Sequence, residues 1–266
     1  IVVASLRGDD TAWIGEHLPE WGANVYVMDD ALANLSVPVD KGREGMAYLT
    51  YIIDRYDDLP DVIAFSHSAR YQWHNDDPLY DGVPVLSNLR LSHVLASGYV
   101  SLRCAWALGC PAELRPRSPT RHSDDFSRAE AAFADAYRAF FPADEDDDDD
   151  DEDDDGQGGR VPEAVGAPCG AQFAVSRDQV RRRRREDYVR MRRWVVETRV
   201  ADGVAAKVLE NLWHIVMGKP PVYCPPARDC YCAQFGHCGL RCPAADACDN
   251  RYILPDAPAL PDGWPF

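Results

Sequence analysis

The chain has 266 residues, of which 46% are hydrophobic, and carries a formal net charge of −16. This length is enough to bury a sizeable core, and the composition excludes a wholly disordered chain. Twelve acidic residues form one uninterrupted run, 144–155, so the remaining residues carry only about −4. Nothing in that balance suggests nucleic-acid binding, which requires a basic stripe. No run of about 18 apolar residues is present that could cross a bilayer.

The acidic run is a predicted insertion within one domain. Neighbouring carboxylates repel one another and gain nothing from burial, so we expect residues 143–160 to form a disordered loop. A site for calcium or for a basic partner is the alternative. A long insertion costs little closure entropy, and we therefore expect 1–266 to form a single domain. The chain opens on Ile1-Val2-Val3 without a methionine, which indicates that upstream residues were removed.

Strand and helix patterns alternate on both sides of the insertion. Helical spacing of apolar residues predicts one helix ending near Tyr56, one that stops at Pro142, and two after the insertion, of which the last ends at Gly218. Ser176 and Gln179 have the spacing of a helix capping box. Alternating strands and helices predict an α/β fold whose central sheet is mostly parallel and flanked by helices. Short apolar runs mark the predicted strands at 1–5, 24–28, 62–65 and 171–175.

Six of the nine cysteines lie between Cys224 and Cys248, within a Pro-rich stretch that defines a cysteine-rich C-terminal extension at 219–252. Disulfides suit a segment that cannot build its own core. The C-x-C and C-x3-C spacings fit structural zinc poorly, and zinc stays the alternative. The pairing is left open, although Cys104 and Cys110 could close a short loop. An odd total leaves one thiol free or bonded to another chain. Disulfides indicate the lumen of the secretory pathway (Golgi or ER) or secretion.

Several short sequence blocks carry a family resemblance. They are Lys41-Gly42-Arg43-Glu44, Arg70-Tyr71-Gln72-Trp73-His74, Gly109-Cys110-Pro111, Leu212-Trp213-His214 and Cys230-Tyr231-Cys232. In these blocks, and over nearly the whole chain outside the acidic run, the sequence resembles the uncharacterised, mainly fungal family called domain of unknown function 3431. By analogy, the resemblance implies a Rossmann-like fold similar to that of the GT-A nucleotide-sugar glycosyltransferases.

The analogy implies a donor site at the carboxyl ends of the strands, where open α/β sheets bind ligands. Asp29 follows the second predicted strand and would accept hydrogen bonds from a ribose or a base. Lys41 and Arg43 would contact the diphosphate of a nucleotide-sugar, Arg43 through its bidentate guanidinium, and Glu44 completes this block. The alternative is a structural ion pair between Arg43 and Glu44 at the start of a helix.

A divalent metal ion, Mn or Mg, belongs to the same analogy because it would neutralise the leaving diphosphate. His67, Asp76 and His214 are the candidate ligands. The usual Asp-x-Asp is missing, and adjacent carboxylates such as Asp76 and Asp77 point to opposite sides of an extended chain. A solvated turn is therefore the alternative for this pair.

Glu210 and His214 are the candidate catalytic residues. They lie four positions apart on a predicted helix and share one face, so the carboxylate would orient the imidazole as a general base or a metal ligand. A surface pair without function is the alternative, and Glu197 and Asp202 are secondary candidates for the base. The arginines at 181–185 are expected to form a solvated helix face, with phosphate binding as their alternative.

By the same analogy, the resemblance implies a glycosyltransferase-like enzyme that moves a sugar from a nucleotide-sugar donor to a carbohydrate acceptor. Its mechanism would combine positioning, electrostatic stabilisation of the leaving diphosphate and one general base. A non-catalytic secreted or lumenal binding module is the first alternative. A hydrolase that uses Glu210 and His214 is the second.

Overall fold

A computed structural model of the chain describes residues 1–118, 125–142, 160–255, 260 and 264–265. The predicted disordered insertion lies outside the described residues, except for its last position. In the described part, the strands are β1 (Val2–Ser5), β2 (Asn24–Val27), β3 (Val62–His67), β4 (Tyr99–Ser101) and β5 (Phe173–Ser176). The helices are α1 (Ala12–His17), α2 (Glu44–Arg55), α3 (Gly82–Ser87), α4 (Leu91–Ser97), α5 (Asp125–Phe140), α6 (Arg177–Val180), α7 (Arg185–Glu197), α8 (Asp202–Val216) and α9 (Ala227–Phe235).

The strands form one mixed sheet in the order β2-β1-β3-β5-β4. Strand β1 pairs in parallel with β2 and β3, whereas β5 pairs antiparallel with β3 and β4. The prediction of a mostly parallel sheet is therefore wrong, because β5 enters between β3 and β4 in the opposite direction. The α/β class and the single sheet flanked by helices are confirmed.

The sheet separates two hydrophobic cores. Successive side chains of a strand point to opposite faces, so Val2 and Phe65 join the core formed with α2, α5, α7 and α8. Val3 and Ala64 join the core formed with α1, α3, α4 and α9. Because both faces are covered, the strands read as continuous apolar runs in the sequence. Among the described residues, no helix is both long and apolar enough to cross a membrane.

Four disulfides connect the C-terminal extension to itself and to the sheet. Two of them reach the segment after β4, across separations of 126 and 114 residues. The prediction of disulfides is confirmed, but the short Cys104–Cys110 loop is wrong because each of these cysteines bonds to the extension instead. Cys169 is the leftover thiol and is buried. The pairs are Cys104–Cys230, Cys110–Cys224, Cys232–Cys238 and Cys242–Cys248.

Several basic side chains cap the carboxyl ends of helices. Arg183 donates from Nε to the carbonyl of Val216 in the last turn of α8, at 2.7 Å. Arg185 donates in the same way to Ile53 near the end of α2, at 2.8 Å. The last carbonyls of a helix lack partners within the helix and carry its negative dipole end. The expectation that the arginines at 181–185 form a helix face is therefore wrong. Most of this run lies between α6 and α7, and the guanidinium groups of Arg183 and Arg185 bind carbonyls at helix ends.

Loss of the Cys104–Cys230 disulfide should destabilise the protein more than loss of Cys242–Cys248. The two bridges span 126 and 6 residues, but Cys110–Cys224 already joins the segments that Cys104–Cys230 connects. The loop that Cys104–Cys230 closes is therefore reduced to about 14 residues, and the chain-entropy model gives about 3 kcal/mol for this bridge and about 2 kcal/mol for Cys242–Cys248. Denaturant unfolding of the double variants C104A/C230A and C242A/C248A measures both free energies. Equal losses would contradict the role assigned to the long-range bridge.

Replacing Arg183 by Met should lower the free energy of unfolding by about 1–3 kcal/mol, because buried carbonyls at the end of α8 lose their donor. Arg182→Met is the matched control, since Arg182 is exposed and its replacement should change stability by less than about 0.5 kcal/mol. The capping role fails if the two variants unfold at the same denaturant concentration.

Candidate functional site

A polar pocket of about 90 Å³ lies at the carboxyl end of β3. Its walls come from the start of α2, the last residue of β3, the loop that follows β3, and one face of α8. The pocket is small, yet it concentrates ionisable groups of both signs. These side chains are Arg43, Glu44, His67, His74, Lys207 and Glu210.

The turn before α2 brings Arg43 and Glu44 to this pocket. Gly42 and Arg43 both have positive φ, of 75° and 47°. A β-carbon on Gly42 would lie 2.6 Å from Val195, so the contact with α7 leaves room only for glycine. Glu44 then opens α2, where the free amides of the first turn favour a carboxylate. Arg43 stays at the pocket rim, with 67% of its side chain exposed.

Lys41 does not reach the pocket. Its ammonium donates to the carbonyl of Val196, at 3.2 Å, and to that of Thr198, at the end of α7. Asp202 Oδ1 accepts a hydrogen bond from the backbone N–H of Gly42. The other carboxyl oxygen of Asp202 lies 3.9 Å from Nε of Arg43. Lys41 and Asp202 therefore fix the turn, and Arg43 is the cation that the turn presents to the pocket.

Glu44, at the start of α2, and His67, at the end of β3, both line the pocket. Burial raises the pKa of Glu44, and the nearby His67 offsets only part of this effect. His67 closes β3, and within the described structure its buried Nε2 atom has no hydrogen-bond partner. A carboxyl group of raised proton affinity and an unsatisfied imidazole nitrogen thus share one pocket. The carboxyl group can exchange a proton with a bound ligand, and the imidazole nitrogen can form a hydrogen bond with it.

Helix α8 adds an ion pair to the pocket. Lys207 Nζ lies 3.1 Å from Glu210 Oε2 and 3.9 Å from Glu113 Oε1. The thiol of Cys169 donates to Glu210 Oε1 at 3.0 Å. Burial by itself would raise the pKa of Glu210, but Lys207 and the Cys169 thiol outweigh burial and hold this pKa below its usual value. The pocket therefore combines an ionised Glu210 with a Glu44 that retains its proton to higher pH.

Gln172 fixes the end of β3 on which the pocket is built. Its Oε1 accepts from the hydroxyl of Ser66, at 2.9 Å, and from the backbone N–H of His67, at 3.3 Å. Its Nε2 donates to Asn75 Oδ1 at 3.0 Å. Since Gln172 is buried, losing either partner would leave an unsatisfied polar group. This amide ties the strand end to the loop that carries His74.

His74 forms a neutral wall of the pocket. Its ring stacks on His67, with 4.8 Å between centroids, and lies 3.8 Å from the ring of Trp73. Burial, together with the neighbouring His67 and Arg103, lowers the pKa of His74 to about 2. A charged His74 is therefore excluded at physiological pH, which leaves proton transfer to the other ionisable groups of the pocket.

The predicted metal ligands are not gathered at one place. Asp76 is 1% exposed and accepts hydrogen bonds from the backbone N–H of Cys104 and the hydroxyl of Tyr231, both at 2.6 Å. Of the predicted ligands, His67 lines the pocket, whereas Asp76 and His214 do not. Over the described ranges, no three His, Cys, Asp or Glu side chains are placed to hold a metal ion. The residues present do not fit a divalent ion held by the protein alone.

Glu210 and His214 do not form the expected pair. His214 faces the interior, where its Nε2 lies 2.9 Å from the carbonyl of Pro221, while Glu210 points to Lys207 and Cys169. Asp29 is exposed after β2, and its Oδ1 accepts a hydrogen bond from the backbone N–H of Arg7 at 2.8 Å. Of the predicted site residues, the structure brings together Arg43, Glu44, His67 and Glu210.

Sequence reasoning missed three groups that shape this pocket. Lys207 lies three positions before Glu210, and this helical spacing was an available signal for their ion pair. Cys169 and Gln172 precede β5 and reach the pocket only because β5 lies beside β3. No local pattern in the sequence indicates that proximity.

The family model described as "Protein of unknown function (DUF3431)" matches residues 1–233. The chain belongs to this family. The matched range of the DUF3431 family contains the whole sheet and every residue of the pocket. No curated protein matches the chain, and no solved structure matches it.

Acid unfolding of this DUF3431 protein should depend on His214. Burial, partly offset by the hydrogen bond with Pro221, lowers the pKa of His214 from 6.5 to about 4. Between these values the unfolded chain binds a proton that the folded chain does not. The contribution of neutral His214 to the free energy of unfolding is therefore complete above pH 6.5 and is lost as the pH falls towards 4. The total loss is about 3 kcal/mol.

His214→Gln should flatten the pH dependence of the free energy of unfolding in this window by about 1.4 kcal/mol per pH unit. Denaturant titrations at several pH values between 4 and 6.5 measure the slope. His93→Gln is the control, because His93 is partly exposed on α4 and should change the slope less. Identical slopes for His214→Gln and the wild type would show that His214 does not titrate in this way.

Proposed function

We propose that this protein is a glycosyltransferase-like enzyme that transfers a sugar from a nucleotide-sugar donor to a carbohydrate hydroxyl. One observation carries the proposal: a single pocket holds two carboxyl groups with opposite pKa shifts, raised for Glu44 and lowered for Glu210. When two carboxyl groups in one site have pKa values shifted apart, the group with the raised pKa can act in acid–base catalysis. The group with the lowered pKa stays ionised and can stabilise positive charge.

Glu44 is the proposed general base. Once ionised, a carboxylate of raised pKa is a stronger base than an ordinary one. It would take the proton of the acceptor hydroxyl while that oxygen bonds to the anomeric carbon of the donor sugar. The bond from this carbon to the diphosphate oxygen breaks, and the diphosphate leaves with the electron pair. The unpartnered Nε2 of His67 supports a hydrogen bond to a sugar hydroxyl in the same pocket.

Glu210 and Arg43 supply the proposed electrostatics. Lys207 and the Cys169 thiol keep Glu210 ionised, so its negative charge would stabilise the positive charge that develops on the sugar ring. The exposed guanidinium of Arg43 at the rim would contact the diphosphate through two parallel hydrogen bonds. A pocket of about 90 Å³ has room only for the reacting end of the donor, since pockets that enclose a whole small-molecule ligand measure about 300–1,000 Å³.

The disulfides support the compartment in which this reaction is proposed. Four bridges are compatible with a secreted or lumenal protein, because such bonds persist in oxidising surroundings. We accordingly place the proposed transfer in the lumen of the secretory pathway or outside the cell. Nucleotide-sugar donors and carbohydrate acceptors would then have to be supplied in the same compartment.

Hydrolysis of a glycosidic bond is the second candidate, and the same pair of carboxyl groups favours it. Glu44 holds its proton to higher pH and could donate it to a leaving glycosidic oxygen. The ionised Glu210 would stabilise the sugar cation or attack it. In this reaction water replaces the carbohydrate hydroxyl as the acceptor. The two candidates therefore differ in the leaving group, which is a diphosphate in transfer and a sugar or alcohol in hydrolysis.

Glu44→Gln should reduce turnover by about 10²–10⁴-fold, because it removes the proton acceptor while keeping the size of the side chain. The assay follows nucleotide release from UDP-, GDP- and CMP-sugars, with and without oligosaccharides and Mn²⁺. Glu186→Gln is the matched control, since Glu186 is exposed on α7 and should leave turnover unchanged. Equal turnover in both variants would remove Glu44 from the mechanism.

The same assay separates the candidates. Nucleotide release that depends on an oligosaccharide supports transfer, whereas cleavage of aryl glycosides without nucleotide-sugars supports the hydrolase. If no donor is turned over and none raises the thermal midpoint, the proposal of a transferase fails. A non-catalytic binding module then becomes the better description.

A further inference from the structure

We infer that a second pocket beside the first binds the acceptor, and that this acceptor is an uncharged, hydroxyl-rich saccharide. Its role as the acceptor site rests on the function proposed above. The second pocket has a volume of about 500 Å³, which lies within the range of sites for small molecules. It is formed between α1, the loop after β1, and residues 68–71, which directly follow β3.

The two pockets share one stretch of backbone. His67 lines the first pocket, and Ser68 begins the wall of the second. Consecutive Cα atoms lie about 3.8 Å apart, so both pockets border the carboxyl end of β3, the first against α2 and α8 and the second against α1, which covers the opposite face of the sheet. As the acceptor, a saccharide held in the second pocket would extend past the end of β3 to reach the proposed base, Glu44.

Hydrogen bonds hold the walls of the second pocket in place. The indole N–H of Trp13, on α1, donates to the carbonyl of Ser68 at 2.8 Å. The hydroxyl of Ser68 donates to Asp9 Oδ2, in the loop after β1, at 2.7 Å. Because α1, this loop and the end of β3 are joined to one another, the pocket is preformed. A preformed site loses less entropy when a ligand binds.

The positive charge in the second pocket is already neutralised. Arg70 donates from Nε and Nη2 to the two carboxyl oxygens of Asp81, at 3.0 and 2.8 Å. Its Nη1 lies 2.8 Å from His17 Nε2. Since a guanidinium can only donate, this nitrogen of His17 accepts, and the Nδ1–H of the neutral ring is left as a donor. Arg70 therefore offers little attraction to an anion.

The remaining lining matches a saccharide without acidic groups. Asp9, Asp10 and Glu16 line the pocket and leave it an excess of negative charge, which repels phosphates and uronic acids. Carboxylate oxygens accept strong hydrogen bonds from sugar hydroxyls. Tyr71 and Trp264 add aromatic rings. The guanidinium of Arg70 covers one face of Tyr71, at 4.8 Å from the ring centroid, and the remaining ring faces would pack against the C–H groups of a sugar ring.

Direct binding measurements test this inference without any donor. Saturation-transfer NMR with maltotriose, cellotriose, mannotriose and N-acetylchitotriose should detect at least one neutral trisaccharide, and trigalacturonic acid should give no signal. Glu16→Ala and Tyr71→Ala should each raise the dissociation constant about tenfold. Glu20→Ala is the matched control, because Glu20 is also exposed but lines a different pocket. Glu16 is exposed as well, so its replacement should leave the thermal midpoint unchanged.

The inference is overturned if no neutral trisaccharide binds up to about 10 mM, if trigalacturonic acid binds better, or if Glu20→Ala weakens binding as much as Glu16→Ala. Nucleotide release without saccharide binding would overturn the inference alone. Saccharide binding by a protein that turns over no nucleotide-sugar would overturn the transferase proposal alone. In that case the second pocket would still be a saccharide site.

Discussion

A carboxyl group in the interior must receive hydrogen bonds, and this requirement at Asp76 determines how the region around the first pocket is assembled. Asp76 is 1% exposed, and its donors come from two distant parts of the chain: the backbone N–H of Cys104, after β4, and the hydroxyl of Tyr231, on α9. An unsatisfied buried carboxyl would cost several kcal/mol. The loop that carries His74 therefore cannot shift unless β4 and the C-terminal extension move with it.

The long-range disulfide reinforces the same junction. Cys104 is itself a donor to Asp76, and its bonded partner Cys230 precedes Tyr231, the other donor. Covalent and hydrogen-bonded contacts thus act on one pair of adjoining segments. Gln172 extends this network from the neighbouring Asn75 to the backbone of His67. The cysteine-rich extension is therefore part of the support of the pocket, although none of its residues lines that pocket.

Local patterns predicted the elements of the fold better than their arrangement. Apolar spacing located α2 and α8, and the side chain of Ser176 does accept from the backbone N–H of Gln179. The direction of β5 could not be predicted, because a buried strand has the same apolar pattern in parallel and antiparallel pairing. The disulfide partners were inaccessible for a similar reason, since cysteine spacing does not encode pairing. Glu44 was identified because it belongs to the Lys41-Gly42-Arg43-Glu44 block that carries the family resemblance, whereas Cys169 depends on the placement of β5.

The distribution of positive charge explains why the two pockets would take different ligands. Three basic side chains near the first pocket or the helix ends already have partners within the fold: Lys41 caps α7, Arg183 caps α8, and Lys207 is held by Glu210. Arg43 remains exposed at the rim of the first pocket. Under the proposed function, an anionic donor would approach through Arg43 and be repelled by the acidic second pocket. A neutral acceptor meets no such repulsion, so charge alone would direct donor and acceptor to opposite sides of His67.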